Sequence, residues 1–364
     1  MRLDDLTAIV PLWLLRSAVF VFGLLWGSFL NVVIYRVPRD MSVVRPASHC
    51  PGCGKPVQPY DNLPVVSYVI LRGRARCCGA KMSPRYPLVE LIGGALSLAI
   101  FEVVILALPG STPLARAAAI YGADFALCLG LVAAAFIDAE HMFLPDSITI
   151  GGTVLGIVTA TLRGLDTVDS LIGAAAGFLG IYVPFIFLYK GLLGRTGMGL
   201  GDAKLLALAG SWFGWPGAVF TLLAGAVQGS IYAGITRLLG IEPKLPEAVL
   251  ADIAELEKAA AAGDEEAKKA LAEDPLTEDE NDAFILRFFG RIFGHSKDTP
   301  ATDGTSAATD RTSAATDDSA KDDEDDLPRA RIPFGPFLIL ALLELLFAGP
   351  WLKAKIFPSL WPIF

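Results

Sequence analysis

Two sets of side chains in this sequence have chemistry beyond holding a fold: the aspartates Asp138 and Asp202, and the cysteines Cys50, Cys53, Cys77 and Cys78. Asp202 closes the run Gly197-Met198-Gly199-Leu200-Gly201-Asp202 and opens an apolar stretch, Leu205 to Ala209. Glycines let a backbone approach its neighbours closely, so such a turn holds a carboxylate at a membrane edge without crowding it. The same position also reads as a helix cap, a common use of Asp. Asp138 lacks that explanation. It ends an apolar run, where a carboxylate meets the negative end of a helix dipole at a cost of about 0.3–1 kcal/mol. Nearby, Asp146 follows Pro145 and reads as a helix N-cap, and Glu140 as a solvated loop charge.

Two aspartates at one site cannot both ionise cheaply, so one keeps a proton while the other activates water. Such a pair can hydrolyse an amide without a metal or a nucleophilic serine. The same carboxylates could instead relay protons in a transporter. That reading expects an internal repeat with acids near the bilayer midplane. Here the acids fall at a membrane edge and no such repeat is evident. A third reading is a non-catalytic assembly factor built on the cysteines.

Cys50 and Cys53 form a CxxC pair, Cys77 and Cys78 are adjacent, and Cys128 stands alone in an apolar run. Clustered thiols facing a reducing compartment suggest metal rather than disulfides. Four thiolates suffice for tetrahedral zinc, although adjacent ligands strain the geometry and His49 is an alternative donor. Without metal the lobe is a degenerate knuckle held by packing.

The elements that must position these groups are membrane helices. The chain has 364 residues, 53% of them hydrophobic, gathered in long blocks. Blocks of about 18 or more apolar residues read as transmembrane helices. The expected fold is an all-α polytopic membrane protein of about eight transmembrane helices with a small cytoplasmic Cys-containing loop domain. The helices fall near 11–34, 87–108, 116–137, 147–162, 168–190, 203–213, 217–239 and 333–352. The sixth is too short to cross a core about 30 Å thick unless it is tilted, sheltered or extended back through the glycine turn. No basic n-region or small-residue cleavage site accompanies the first block, so it reads as a retained helix.

Five units follow: helix 1 (1–35), a basic loop with a possible zinc knuckle (36–86), a catalytic core (87–240), an acidic insert (241–332) and a last helix with its tail (333–364). The loop carries nine Lys and Arg against Asp40 and Asp61, which places it in the cytoplasm and the N-terminus outside. Counting helices then brings Asp138 and Asp202 to one cytoplasmic depth. The insert holds 24 acidic and 11 basic residues, and so accounts for a net charge of −8 over an otherwise mildly basic chain. Residues 245–271 read as helix and 284–293 as an amphipathic segment suited to a membrane surface. Residues 296–327 read as a disordered spacer without catalytic chemistry. The bilayer is the main solvent, and no nucleic-acid partner is expected.

Seven segments in order then resemble one family: Gly27 to Arg36, Cys50-Pro51-Gly52-Cys53, Leu71-Arg72-Gly73-Arg74, Ser83 to Glu90, Asp138 to Asp146, Gly199 to Lys204 and Ile332 to Phe337. Together they look like the type IV prepilin peptidases. The resemblance implies an aspartyl protease of the bacterial inner membrane with Asp138 and Asp202 as its catalytic pair. It would remove the leader of type IV prepilins or type II secretion pseudopilins at the cytoplasmic face. It also implies N-methylation of the new N-terminus from S-adenosylmethionine, although no glycine-rich nucleotide loop is visible. One departure stands out: Ala75 replaces the first cysteine of the family's second CxxC pair, leaving Cys77 and Cys78.

Overall fold

The computed structural model describes residues 1–50, 52–189, 198–241, 245–263, 265, 268 and 332–355. Among these, regular structure is helical, with only isolated β-bridges beside it. The helices are α1 (Leu3–Ile9), α2 (Leu12–Arg36), α3 (Val66–Ile70), α4 (Arg85–Ile100), α5 (Leu114–His141), α6 (Asp146–Arg163), α7 (Thr167–Ile181), α8 (Leu200–Leu238), α9 (Glu247–Ala261) and α10 (Gly335–Lys355). Wider π-type turns, Phe101–Ile105 and Tyr182–Leu188, prolong α4 and α7.

Helix is present at each of the eight expected positions, and among the described residues five stretches are long and apolar enough to cross a membrane, where eight were expected. They are Leu12–Arg39, Arg85–Ile105, Leu114–His141, Thr167–Leu188 and Leu200–Leu238. Threonine and glycine dilute the apolar content of α6, and Gly335–Gly349 is a shorter apolar helix. The short sixth helix has a geometric resolution. Within α8, Gly214 takes φ 67° and ψ −179°, a conformation open essentially to glycine alone. A straight helix would put Gly201 and Gly229 about 42 Å apart. Instead, Leu144 packs against Gly201 and Gly335, and Phe334, beside Gly335, packs against Gly229. The chain therefore folds back at Gly214. Its first arm, roughly 21 Å long, is sheltered by neighbours, with Leu205, Leu206, Leu208 and Trp212 buried.

Helix α5 is the axis of the bundle. One stripe, Ala123, Leu127, Leu131 and Ala134, joins a core with α7, α8 and α10. Another, Ile120, Cys128, Val132 and Ile137, joins a core with α2 and α4. Outward-facing residues such as Val21, Leu25, Val158, Ile172 and Leu223 remain exposed, as suits contact with lipid tails.

Lipid tails are as apolar as leucine, so burying apolar surface does not drive these helices together; close van der Waals contact does. Small residues provide it. On α2, Gly23 and Gly27 meet the backbone of α4, and a Cβ at Gly27 would lie 2.7 Å from the Glu90 Cα. On α7, Gly173 and Gly177 meet the first arm of α8, and a Cβ at Gly173 would lie 2.8 Å from the Gly214 Cα.

Of the insert, α9 falls within the described residues, in agreement with helix expected from 245. It packs on α5, burying Val249. The expected amphipathic segment at 284–293 and the spacer at 296–327 lie outside the described residues, as does Gly197.

Candidate active site

Asp138 occupies the last turn of α5 and is 6% exposed. The helix ends at Met142, which adopts φ 57° and donates its N–H to the Asp138 carbonyl at 2.9 Å. This left-handed residue turns the chain sharply, so that α6 begins four residues later. Asp202 is the third residue of α8, and the N-cap is Gly199. The capping role that its sequence position suggested therefore belongs to a glycine. Its carboxylate sits at the positive end of a helix dipole, 3.6 Å from the Cβ position of Gly199.

Leu144 joins the two aspartate-bearing turns. Its side chain lies 3.2 Å from the Cβ position of Gly201, the residue before Asp202. It lies 3.4 Å from the Cβ position of Gly335, which is itself 2.5 Å from Asp138 Oδ2. The turns that carry the two aspartates thus meet around Leu144 at one end of the bundle. Any side chain at 335 would enter the space of the Asp138 carboxylate.

Two acids have partners that their sequence positions did not reveal. Asp146 is the first residue of α6, whose N-cap is Pro145, so it is not the cap. Its Oδ1 accepts from Lys204 Nζ at 2.6 Å. Glu140 is not merely solvated, because Arg85 Nη1 at the start of α4 donates to its carboxylate. A further intramembrane acid escaped the sequence reading altogether. Asp124 is 2% exposed within the apolar body of α5 and interacts electrostatically with Arg163. Arg163 donates to the carbonyls of Trp212 and Gly156 at 2.8 and 2.7 Å and stacks 4.0 Å over the Trp212 ring. A lone acid inside an apolar run was the available signal.

The four cysteines converge, with all their sulfurs within 4.8 Å of one another. Cys50 and Cys78 are 3.6 Å apart, Cys53 and Cys77 3.3 Å, and Cys77 and Cys78 3.9 Å. Zinc–sulfur bonds of about 2.3 Å in a tetrahedron give edges near 3.8 Å, so the donor set fits zinc. The Gly52 N–H and the Cys77 thiol lower Cys50 to about 7, while Cys53 and Cys50 raise Cys77 to about 12. His49, the alternative donor, instead places Nδ1 3.4 Å from the Ala47 carbonyl.

Membrane-side residues hold this lobe down. The buried Arg36 donates to the carbonyls of Ser42 and Pro46, each at 2.8 Å. Val65 has φ 61° and ψ −46°, with Val66 N–H on the Pro64 carbonyl at 2.6 Å. That is a γ-turn of the rare, strained kind. The buried Glu90 accepts the Val65 N–H at 2.7 Å and so anchors the turn to α4.

The molecule is an α-helical membrane protein with two carboxylates gathered at one end and a thiol-rich lobe tied to its first helices. Its sequence matches the Bacterial Peptidase A24 N-terminal domain over residues 21–104 and the Type IV leader peptidase family over residues 125–234. It is 37% identical over 344 residues to a prepilin leader peptidase/N-methyltransferase of Myxococcus xanthus, covering 94% of this chain and 92% of that protein. Proteins of the same name in Pseudomonas aeruginosa and Dichelobacter nodosus are 36% and 38% identical, covering 68% and 61% of this chain and 89% and 84% of theirs. The chain belongs to the type IV leader peptidase family. No solved structure matches it. The transporter reading of the aspartates is not favoured by these matches.

Proposed function

We propose that this protein is a membrane-embedded aspartyl endopeptidase that removes the leader of type IV prepilins or type II secretion pseudopilins, with Asp138 and Asp202 as its catalytic pair. The observation that supports the assignment is the packing of Leu144 against Gly201, the neighbour of Asp202, and against Gly335, whose Cβ position adjoins the Asp138 carboxylate. That end faces the cytoplasm of a bacterial inner membrane, with the N-terminus outside, because the loop at 36–86 carries the excess of Lys and Arg. The five units 1–35, 36–86, 87–240, 241–332 and 333–364 are the working division of the chain.

The chemistry follows from two carboxyls sharing a proton. The ionised one takes a proton from water as the water oxygen attacks the scissile carbonyl. The protonated one donates to the carbonyl oxygen, giving a tetrahedral diol. Collapse of the diol breaks the C–N bond, and the departing amine takes up a proton from the pair. Asp138 is buried at the end of α5, where charges interact more strongly than in bulk solvent.

Methylation of the new N-terminus comes with the name of the relatives and extends to this chain through kinship. S-adenosylmethionine would supply an electrophilic methyl group to that amine. The groove between α5 and α6 is lined by Gly130, Gly151, Leu155 and Leu208, with Ser147 among few polar groups, and does not suit a charged nucleoside. Zinc would be held by Cys50, Cys53, Cys77 and Cys78, and its role would be to close the lobe rather than to cleave. A small lobe with few large apolar residues usually needs such a staple.

The test is purified protein incubated with a peptide bearing a leader, Gly and Phe, with cleavage and methylation followed by mass spectrometry. Cleavage between Gly and Phe is expected, and either Asp138→Asn or Asp202→Asn should abolish it while the protein still inserts. Near-normal cleavage by either variant would remove that aspartate from the pair.

A further inference from the structure

Asp202 is flanked by two attachments, one from the short connection between α5 and α6 and one from the first residue of α6. On one side Leu144 packs against Gly201, the residue before Asp202. On the other, Asp146 holds Lys204, two residues after it, at 2.6 Å. The same connection begins one turn beyond Asp138, through the Met142 N–H on the Asp138 carbonyl. The side chain of Lys204 is only 11% exposed, whereas that of Asp146 is 48% exposed. The Lys204 stem is thus largely covered by its neighbours while its ammonium meets the carboxylate at the start of α6 at the solvent edge, so the geometry of the pair is fixed from one side.

From this arrangement we propose that Lys204 and Asp146 form a positioning clamp that sets the Asp202 turn against the end of α5, acting beside Leu144. The inference rests on the peptidase reading above and adds two residues to it, neither of which touches the reacting atoms. The close contacts of α7 with this short arm, through Gly173 and Gly177, fall at Leu206 and beyond, so the first turn that carries Asp202 is set by the clamp and Leu144. Two attachments bracketing Asp202 prevent both sliding along α6 and rotation about the arm. Leu144 resists close approach, and the ion pair resists separation. Since misplacement by about 1 Å can cost on the order of 100-fold in rate, a clamp of this kind acts on turnover rather than on substrate affinity.

The experiment is steady-state cleavage of the leader peptide by wild type, Lys204→Met, Asp146→Asn and the double variant, with Glu102→Gln as control. Glu102 pairs with Arg16 in a part of the bundle distant in sequence from both aspartates. The clamp predicts that each single variant lowers kcat by roughly 10- to 100-fold with KM within about twofold. The double variant should be no slower than the worse single one, because both remove the same contact. The control should match wild type. Lys204→Arg, which keeps the charge, should recover most of the lost kcat. Should Lys204→Met fail to insert, Asp146→Asn, nearly isosteric, reports the same contact. Unchanged kcat in Asp146→Asn, or effects that multiply in the double variant, would overturn the clamp while wild-type cleavage leaves the peptidase reading intact. A wild type that cleaves no leader peptide would overturn both.

Discussion

At the scale of single residues, the tightest constraint around the candidate pair falls on a position with no side chain. A Cβ at Gly335 would lie 2.5 Å from Asp138 Oδ2 and 3.4 Å from Leu144. Real Cβ atoms do not approach oxygen so closely, so either the carboxylate or the start of α10 must move. Gly335→Ala is therefore expected to cut cleavage at least 10-fold with little loss of membrane-inserted protein, measured by peptide turnover and by yield after solubilisation. Leu144→Ala should slow turnover as well, since it empties the space between Gly201 and Gly335. The cysteines lead to a separate expectation. Metal analysis should find close to one zinc per chain, lost in the Cys50→Ser, Cys53→Ser double variant. Protein that cleaves normally but never carries metal would end the zinc proposal and leave the aspartates untouched.

At the scale of elements, the helices meet through glycine, and the steepest penalties are expected where glycine touches backbone. Gly173 on α7 packs against the backbone of Gly210 and Gly214. Backbone cannot swing aside as a flexible side chain can. Gly173→Val should destabilise the α7–α8 contact by about 1–3 kcal/mol, read as a lowered Tm in detergent. A change of equal volume at Gly122, where a Cβ would meet nothing within 4 Å, should leave Tm nearly unchanged. The thiol lobe is governed differently, by hydrogen bonds reaching out of the helix ends. Glu90 holds the strained Val65 turn, and Arg36 holds the following loop. Neither bond follows from periodicity, because each joins a helix to an irregular segment.

At the scale of the whole molecule, the acidic insert separates α8 from α10 in sequence, yet Gly225 packs on Leu338, and Gln228 Nε2 donates to Glu344 at 2.9 Å. The insert's ends are thus held by helices on both sides. Residues 296–327 contain Ser, Thr, Asp and Ala with almost nothing apolar to pack. Deleting them should leave peptide cleavage within about twofold of wild type, whereas removing α9, which buries Val249 against α5, should have a larger effect. A loss of cleavage in the first deletion, with insertion intact, would mean that this segment contacts substrate.

The membrane class, the helices and the family were legible in the sequence because apolar blocks and motif residues are local properties of the chain. Asp138 stood out for the same reason, as an acid at a helix end where the dipole disfavours it. What neighbours each acid was not legible. Asp146 and Lys204 are 58 residues apart, and no periodicity marks them as partners. Asp202 reads in the sequence both as a helix cap and as a catalytic acid, and the structure gives the N-cap to Gly199. The short sixth helix acquired its place only when Gly214 turned the chain back and Leu144 was found between Gly201 and Gly335. Local pattern decides where a helix forms and which face is apolar. Only packing decides which distant turns meet, because contact between backbones depends on the shapes of both helices at once.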